Sequence, residues 1–265
     1  DARWEERMLA GLSGSDAAPK LLVIDDLADR PHLADCLLDQ NFFGSITESR
    51  YAQLVPNHCE KLLGPHYALL APEYALLHSL VPLRRELKRV LVYFGAVDPL
   101  KLTRLSLDVL SDVQFQDLAV DIVMGGLDNN YESISAMASL RPNTTIHNSL
   151  PSLAGLIARA DLSIGAGGAT TWERSCLGLP SIVLPVAANQ DQFVNALHEE
   201  GYVLKVEIEV KTISEQLRLI LADLIQEYSD SSLKLGRSLT NGLGAKWLAE
   251  KMISLPSFKE NSLDV

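Results

Sequence analysis

The chain has 265 residues, of which 47% are hydrophobic, enough for one large domain or two modest ones around an apolar core. Its formal charge of −11 leaves no basic stripe to offset phosphate repulsion, which argues against nucleic acid or an anionic membrane as partner. Three cysteines, Cys36, Cys59 and Cys176, neither pair evenly nor fall at metal-ligand spacing, so reduced thiols in a cytoplasmic protein are expected.

The opening DARWEERMLAGL is charged and amphipathic, with Trp4, Met8 and Leu9 on one face of a predicted helix, and it lacks the pattern of a signal peptide. A start at Asp1, inside a helix and without a methionine, predicts that a segment of the protein precedes it. No apolar run approaches the roughly 20 residues of a membrane-spanning helix. LLVIDDL reads as a strand closing on Asp25 and Asp26, followed by a turn at Asp29-Arg30-Pro31-His32. These aspartates resemble a metal-binding group, yet no histidine or further carboxylate lies at useful spacing, so they read as caps and turn-formers. CLLDQN is a second strand, FGSITESRYAQLVP a loop or helix, and GPHYALL a third short strand. Pro72, Pro82 and the charge cluster from Arg84 to Arg89 mark a domain boundary near residue 82.

A second α/β run follows. RVLVY, LAVDIVM and TTIHN read as strands, and the leucines of LTRLSLDVL recur at helical spacing. YESISAMASL is a predicted helix, and PSLAGLIARA another that begins with Pro151 near its first turn. FGAVDP, after the first of these strands, is a glycine turn that could bring Gly95 and Asp98 to a ligand. Beyond residue 192 come a helix through Asn195–His198, the strand GYVLKVE and a mostly helical C-terminal region that ends in a polar tail. Strands alternating with helices at this spacing mean parallel sheets covered on both faces.

The richest stretch is Asp161–Gln192, with two strands, DLSI and SIVLPV, each followed by a polar or glycine-rich turn. Such turns stand at the carboxyl ends of parallel strands, where open α/β sheets bind ligands. Gly165, Gly167 and Gly168 either let backbone N–H groups cradle a phosphate or only permit tight packing of strand on helix. Thr170 or Thr171 can cap the next helix, and Glu173 in its first turn suits the helix dipole or the hydroxyls of a ribose. Asn189-Gln190-Asp191-Gln192, with Asn195 one turn on, offers amide chemistry for sugar hydroxyls, or forms a surface helix start. None of the six histidines sits in a nucleophile or metal motif, and no P-loop is present.

The run ADLSIGAGGATTWERSCLGLPSIVLPVAANQDQFVNALHEEGYVL is similar to the donor-binding half of GT-B sugar-nucleotide enzymes, the UDP-GlcNAc transferases of peptidoglycan synthesis among them. Together with IDDLADRPHLADCLLDQN and GPHYALLAPEY, it resembles more narrowly the UDP-2,4-diacetamido-2,4,6-trideoxy-β-L-altropyranose hydrolases of pseudaminic acid biosynthesis. The resemblance implies a GT-B-like α/β fold of two Rossmann-like domains with parallel sheets: an incomplete N-terminal one over 1–82, a UDP-binding one over 83–256, and a tail over 257–265. It implies a UDP-sugar between the domains, with Gly165, Gly167, Gly168, Thr170 and Thr171 at the phosphates and Glu173 on the ribose. Asn189 and Gln190 would touch diphosphate or sugar, and the backbone of Ile146 and His147 would approach uracil. The reaction implied is attack of water at the anomeric carbon, without metal or cofactor. The base would be a histidine in a loop preceding Asp1, so no residue here is assigned as catalytic. A glycosyltransferase of the same fold, or a UDP-sugar binding module without chemistry, is the alternative.

Overall fold

The structure, a computed structural model, describes residues 2–12, 20–126, 130–208, 212–226, 228 and 236–254. Two compact units divide the chain: the described residues of Asp1–Leu69 with those of Leu243–Val265, and Leu70–Gly242.

The first unit carries helix α1 (Ala2–Leu12) and three short parallel strands, β1 (Leu22–Ile24), β2 (Cys36–Asp39) and β3 (Glu60–Leu63), in the order β1-β2-β3. The central strand CLLD is buried at every position, as a parallel strand covered on both faces must be. Leu37 packs on one face with Ala34, Tyr51 and Leu63, while Cys36, Leu38 and Leu62 pack on the other with Leu248. The strand expected in GPHYALL lies one segment earlier. Gly64 takes φ 90° and Pro65 has no N–H for a ladder, so β3 stops at Leu63 and residues 65–67 form a 3-10 turn. Asp25 fixes the turn after β1, its Oδ2 accepting from Ala28 N–H at 2.9 Å.

Helix α9 (Gly244–Ser254) belongs to this first unit, where the sequence had grouped it with the second. It is held by a Trp247–His66 ring stack with centroids 4.1 Å apart and by a Lys251–Glu60 ion pair at 2.6 Å. Gly244 lies against the backbone of Tyr67, where a Cβ would stand 2.4 Å from the carbonyl carbon. The unit boundary on the other side falls between Leu69 and Leu70 rather than at residue 82. The intervening helix α2 (Pro72–His78) packs on the second unit through buried Tyr74. The tail over 257–265 lies outside the described residues.

The second unit is a six-stranded parallel sheet in the order β6-β5-β4-β7-β8-β9. Its strands are β4 (Arg89–Tyr93), β5 (Ala119–Met124), β6 (Thr144–Asn148), β7 (Leu162–Ala166), β8 (Ser181–Leu184) and the two-residue edge β9 (Leu204–Lys205). Helices α3 (Leu102–Leu110), α4 (Tyr131–Ser139), α5 (Ala154–Arg159), α6 (Thr170–Cys176), α7 (Ala188–Glu199) and α8 (Ile213–Gln226) complete it. α3 turns Leu102, Leu107 and Leu110 into a core shared with Val90, Val92, Ile122 and Ile164 of the sheet. α5 starts three residues later than Pro151 suggested, because Ser152 Oγ accepts from Ala154 N–H at 3.1 Å and marks the helix start. The chain builds outward from β4 through β5 to β6, then returns by α5 to place β7 on the other side of β4. The order of strands therefore reverses between β4 and β7, and parallel sheets form their ligand crevice at the carboxyl ends of such a pair.

Candidate functional site

A cavity of about 360 Å³ opens at that reversal. Tyr93 at the end of β4, Ala96 beyond it, and Met124, Gly125 and Gly126 at the end of β5 form one wall; Ser149–Leu153 after β6 form another. Thr170 and Glu173 of α6 close it from the β7 side. The loops after β4 and β5 meet backbone to backbone: a Cβ on Gly125 would stand 2.1 Å from the Ala96 carbonyl oxygen, so only glycine fits. Ser149, which lines the cavity, holds φ +48°, a left-handed conformation that costs a non-glycine residue about 1–3 kcal/mol. Its N–H donates to Met124 O at 3.2 Å, pinning the loop to the end of β5.

The glycine-rich turn after β7 divides its labour. At Gly165 a Cβ would meet Tyr93 O at 2.4 Å, and at Gly167 it would meet Val194 Cγ2 at 2.6 Å, so these two glycines serve close packing within the protein. Gly168 alone of the three has open space where a side chain would begin. Neither threonine caps α6: Ala169 occupies the cap position and no side chain hydrogen-bonds there. Thr170 lines the cavity, whereas Thr171 is buried and its Oγ1 accepts from Arg174 Nη2 at 2.9 Å.

Arg174, which the sequence did not single out, organises this turn. Its buried guanidinium also donates to Ala166 O at 2.7 Å, Thr170 O at 3.2 Å and Ser163 Oγ at 3.3 Å. Burial pulls its pKa down to about 10, which still leaves it charged at neutral pH.

Glu173 projects into the cavity with Oε2 buried and without a hydrogen-bond partner. Burial pushes its carboxyl above the usual carboxylate range, with Tyr74 and Arg174 acting the other way and Glu73 adding to the rise. A buried acceptor left unpaired costs about 1–3 kcal/mol, so this oxygen is a demand for a donor.

The amide cluster occupies the first turn of α7 and does not line the cavity. Gln190 Oε1 accepts from Val186 N–H at 2.9 Å, Asn195 Oδ1 from Lys205 Nζ at 2.7 Å, and Asp191 lies 3.7 Å from the same ammonium. Asn189 is exposed. On β6, Ile146 packs on the core, and the His147 ring is engaged by Asp121 at 2.9 Å. Burial alone would raise the Asp121 carboxyl, but hydrogen bonds from His147, Arg159 and Arg89 hold it below the ordinary range. Asp98 caps α3, accepting from Leu102 and Thr103 N–H at 2.9 and 2.7 Å, and Gly95 turns the preceding loop with φ +103°. Among the described residues, no group of three His, Cys, Asp or Glu could hold a metal, and no helix is long and apolar enough to cross a membrane.

Residues 89–238, which hold every wall of this cavity, match the glycosyltransferase family 28 C-terminal domain. The chain belongs to that family. It is 26% identical over 184 residues to the spore coat polysaccharide biosynthesis protein SpsG of Bacillus subtilis, covering 68% of this chain and 54% of that protein. It is 28% identical over 182 residues to the UDP-N-acetylglucosamine–N-acetylmuramyl-(pentapeptide) pyrophosphoryl-undecaprenol N-acetylglucosamine transferase of Sulfurimonas denitrificans, covering 65% and 51%. The chain thus spans about half the length of the curated relatives it matches. The solved MurG structure of Acinetobacter baumannii superimposes with a TM-score of 0.59 at 18% identity, over 84% of this chain and 67% of that one. The fold is therefore α/β with parallel sheets, of the GT-B kind.

Proposed function

We propose that the second unit binds the UDP moiety of a UDP-sugar and serves glycosyl transfer from it. One observation carries this: the buried, unpartnered Oε2 of Glu173, set in a cavity at the strand-order reversal. A ribose presents two adjacent hydroxyls, the donors that such a carboxylate lacks. Thr170 and the open flank of Gly168 then meet the diphosphate, and the carboxyl end of β6 near Ile146 and His147 takes the base through backbone groups, since the His147 ring is engaged with Asp121. Asn189 and Gln192, both exposed on α7, are the amides that reach sugar or diphosphate, and Gln190 reaches them only if it releases Val186.

In the reaction the bond from the anomeric carbon to the β-phosphate oxygen breaks, UDP keeps the electron pair, the oxygen of an acceptor hydroxyl forms the new bond, and the hydroxyl proton leaves to solvent. Transfer to a hydroxyl is favoured by membership of a glycosyltransferase family and by the S. denitrificans relative, whose name is that of an N-acetylglucosamine transferase. Hydrolysis, in which water takes the acceptor's place, rests on motif resemblance alone. Calorimetric titration with UDP, GDP and ADP tests the binding half. Saturable binding with UDP preferred is the expected result, and equal or absent binding of all three would remove the assignment. Release of UDP from UDP-N-acetylglucosamine, in the presence and absence of hydroxyl acceptors, separates transfer from hydrolysis.

A further inference from the structure

Among the described residues, five buried side-chain polar atoms make no hydrogen bond of full geometry, and two of them belong to neighbouring groups: Tyr74 Oη and Glu173 Oε2. Tyr74 is only 2% exposed and stands behind the cavity wall on α2, with its hydroxyl beside Glu173 and Ser152, both of which line the cavity. Its backbone is fixed against α6. Cys176 Sγ donates to Tyr74 O at 3.6 Å, and one turn on His78 Nδ1 meets Cys176 O at 2.7 Å. The phenol is therefore held in place next to the carboxylate of a residue that lines the cavity.

We infer that Tyr74 is the positioning residue for Glu173, its phenolic hydroxyl donating a hydrogen bond to the carboxylate both before and after a nucleoside binds. The carboxylate then stays ionised and accepts the ligand's hydroxyls. This rests on the assignment of the cavity to a UDP-sugar. The charged and titratable groups around Glu173 are Tyr74 and Glu73 on α2, Arg174 on α6 and Tyr93 at the end of β4. Burial and the nearby carboxylate push the Tyr74 phenol far up, so it remains a proton donor throughout the accessible pH range. Burial raises the Glu173 carboxyl above the ordinary range, Tyr74 and Arg174 pull against that rise, and Glu73 adds to it. Deleting the phenolic hydroxyl removes a donor to the charged form, so the Glu173 carboxyl moves further up. An ionised carboxylate accepts from two hydroxyls and a protonated one does not. Affinity is therefore lost as pH falls through the Glu173 titration, and Tyr74→Phe brings that loss to higher pH.

The test uses the chain with ¹³C-labelled glutamate carboxyls, the Glu173 signal being the one absent from Glu173→Gln. Tyr74→Phe removes only the phenolic oxygen and keeps the buried ring, so this variant is expected to stay folded. Titrated without nucleotide, the Glu173 signal should have its midpoint about half a pH unit higher in Tyr74→Phe. With UDP, the ratio of wild-type to Tyr74→Phe affinity should be larger at pH 5.5 than at pH 8, by up to about threefold, the limit that a half-unit shift of one carboxyl sets. The ionisation of UDP itself is common to both proteins and cancels in the ratio. Superimposed carboxyl titrations, or an affinity ratio that is the same at both pH values, would overturn the inference. A shifted carboxyl midpoint with no UDP binding by either protein would uphold the Tyr74–Glu173 pairing and overturn the UDP assignment instead.

Discussion

Arg174 Nη2 donates to Ala166 O at 2.7 Å, tying the last residue of β7 to the helix that carries Glu173. The same guanidinium reaches Thr171, Thr170 and Ser163, so one buried cation sets the shape of the whole turn between strand and helix.

Arg174→Met fills similar volume but leaves Ala166 O, Thr171 Oγ1 and Ser163 Oγ without this donor. Urea denaturation is expected to show a loss of about 2–4 kcal/mol, from several buried polar groups left unpaired. UDP affinity should fall with it, since the turn that positions Thr170 and Glu173 is no longer braced. A loss below about 0.5 kcal/mol would mean that water replaces the guanidinium.

Two glycines of the site should respond in opposite ways. Gly125→Ala drives a Cβ to 2.1 Å from a backbone carbonyl, and should unfold the chain or lower its melting temperature by several degrees. Gly168→Ala meets nothing within 4 Å and should leave the melting temperature unchanged while weakening UDP binding. Thermal denaturation of both variants, followed by calorimetry on Gly168→Ala, checks the contrast. Full UDP affinity in Gly168→Ala would show that the ligand does not approach there.

His147→Ala tests whether that ring is structural. Its hydrogen bond to Asp121 is one of several on that carboxylate, so stability should fall by about 1 kcal/mol with UDP affinity within twofold of wild type. A larger loss of affinity than of stability would place the imidazole at the ligand.

The first unit carries a pH signature of its own. Burial raises the Asp39 carboxyl to about 6, in spite of the hydrogen bond from Asn41 N–H, the Arg50 ion pair and the Tyr51 hydroxyl. A folded-state value above the unfolded one near 3.8 means that the native state binds more protons between pH 4 and 6. Stability therefore falls as pH rises through that window, by on the order of 3 kcal/mol at most. Asp39→Asn should flatten this slope in urea titrations run at pH 4, 5, 6 and 7.

Much of the second unit is legible in sequence because its elements carry local signals: leucines at helical spacing in α3, and the apolar runs VLV in β4, IVM in β5 and IVL in β8. Glu173 is legible for the same reason, since its place in a helix's first turn follows from the glycine turn before it. GPHYALL misleads because apolar content suggests a strand, while Gly64 and Pro65 decide the backbone. The threonines of α6 look like caps until Arg174, four residues on from Thr170, claims the Thr171 hydroxyl. Gly165 and Gly167 are indistinguishable in sequence from Gly168, because what separates them is Tyr93 and Val194 arriving from other elements. The cavity walls at Ala96, Gly125 and Ser149–Leu153, and Tyr74 behind Glu173, depend on strand order and on contacts across tens of residues, which periodicity does not encode.

The central claim is that Glu173 holds the ribose of UDP, and calorimetry on wild type and Glu173→Ala with UDP and 2′,3′-dideoxy-UDP tests it most directly. Loss of a charged acceptor for ribose hydroxyls should weaken UDP binding by about 10- to 100-fold. The dideoxy nucleotide, with no hydroxyls to offer, should bind the two proteins equally. Equal affinity of both proteins for UDP, or an equal loss with both nucleotides, would contradict the account.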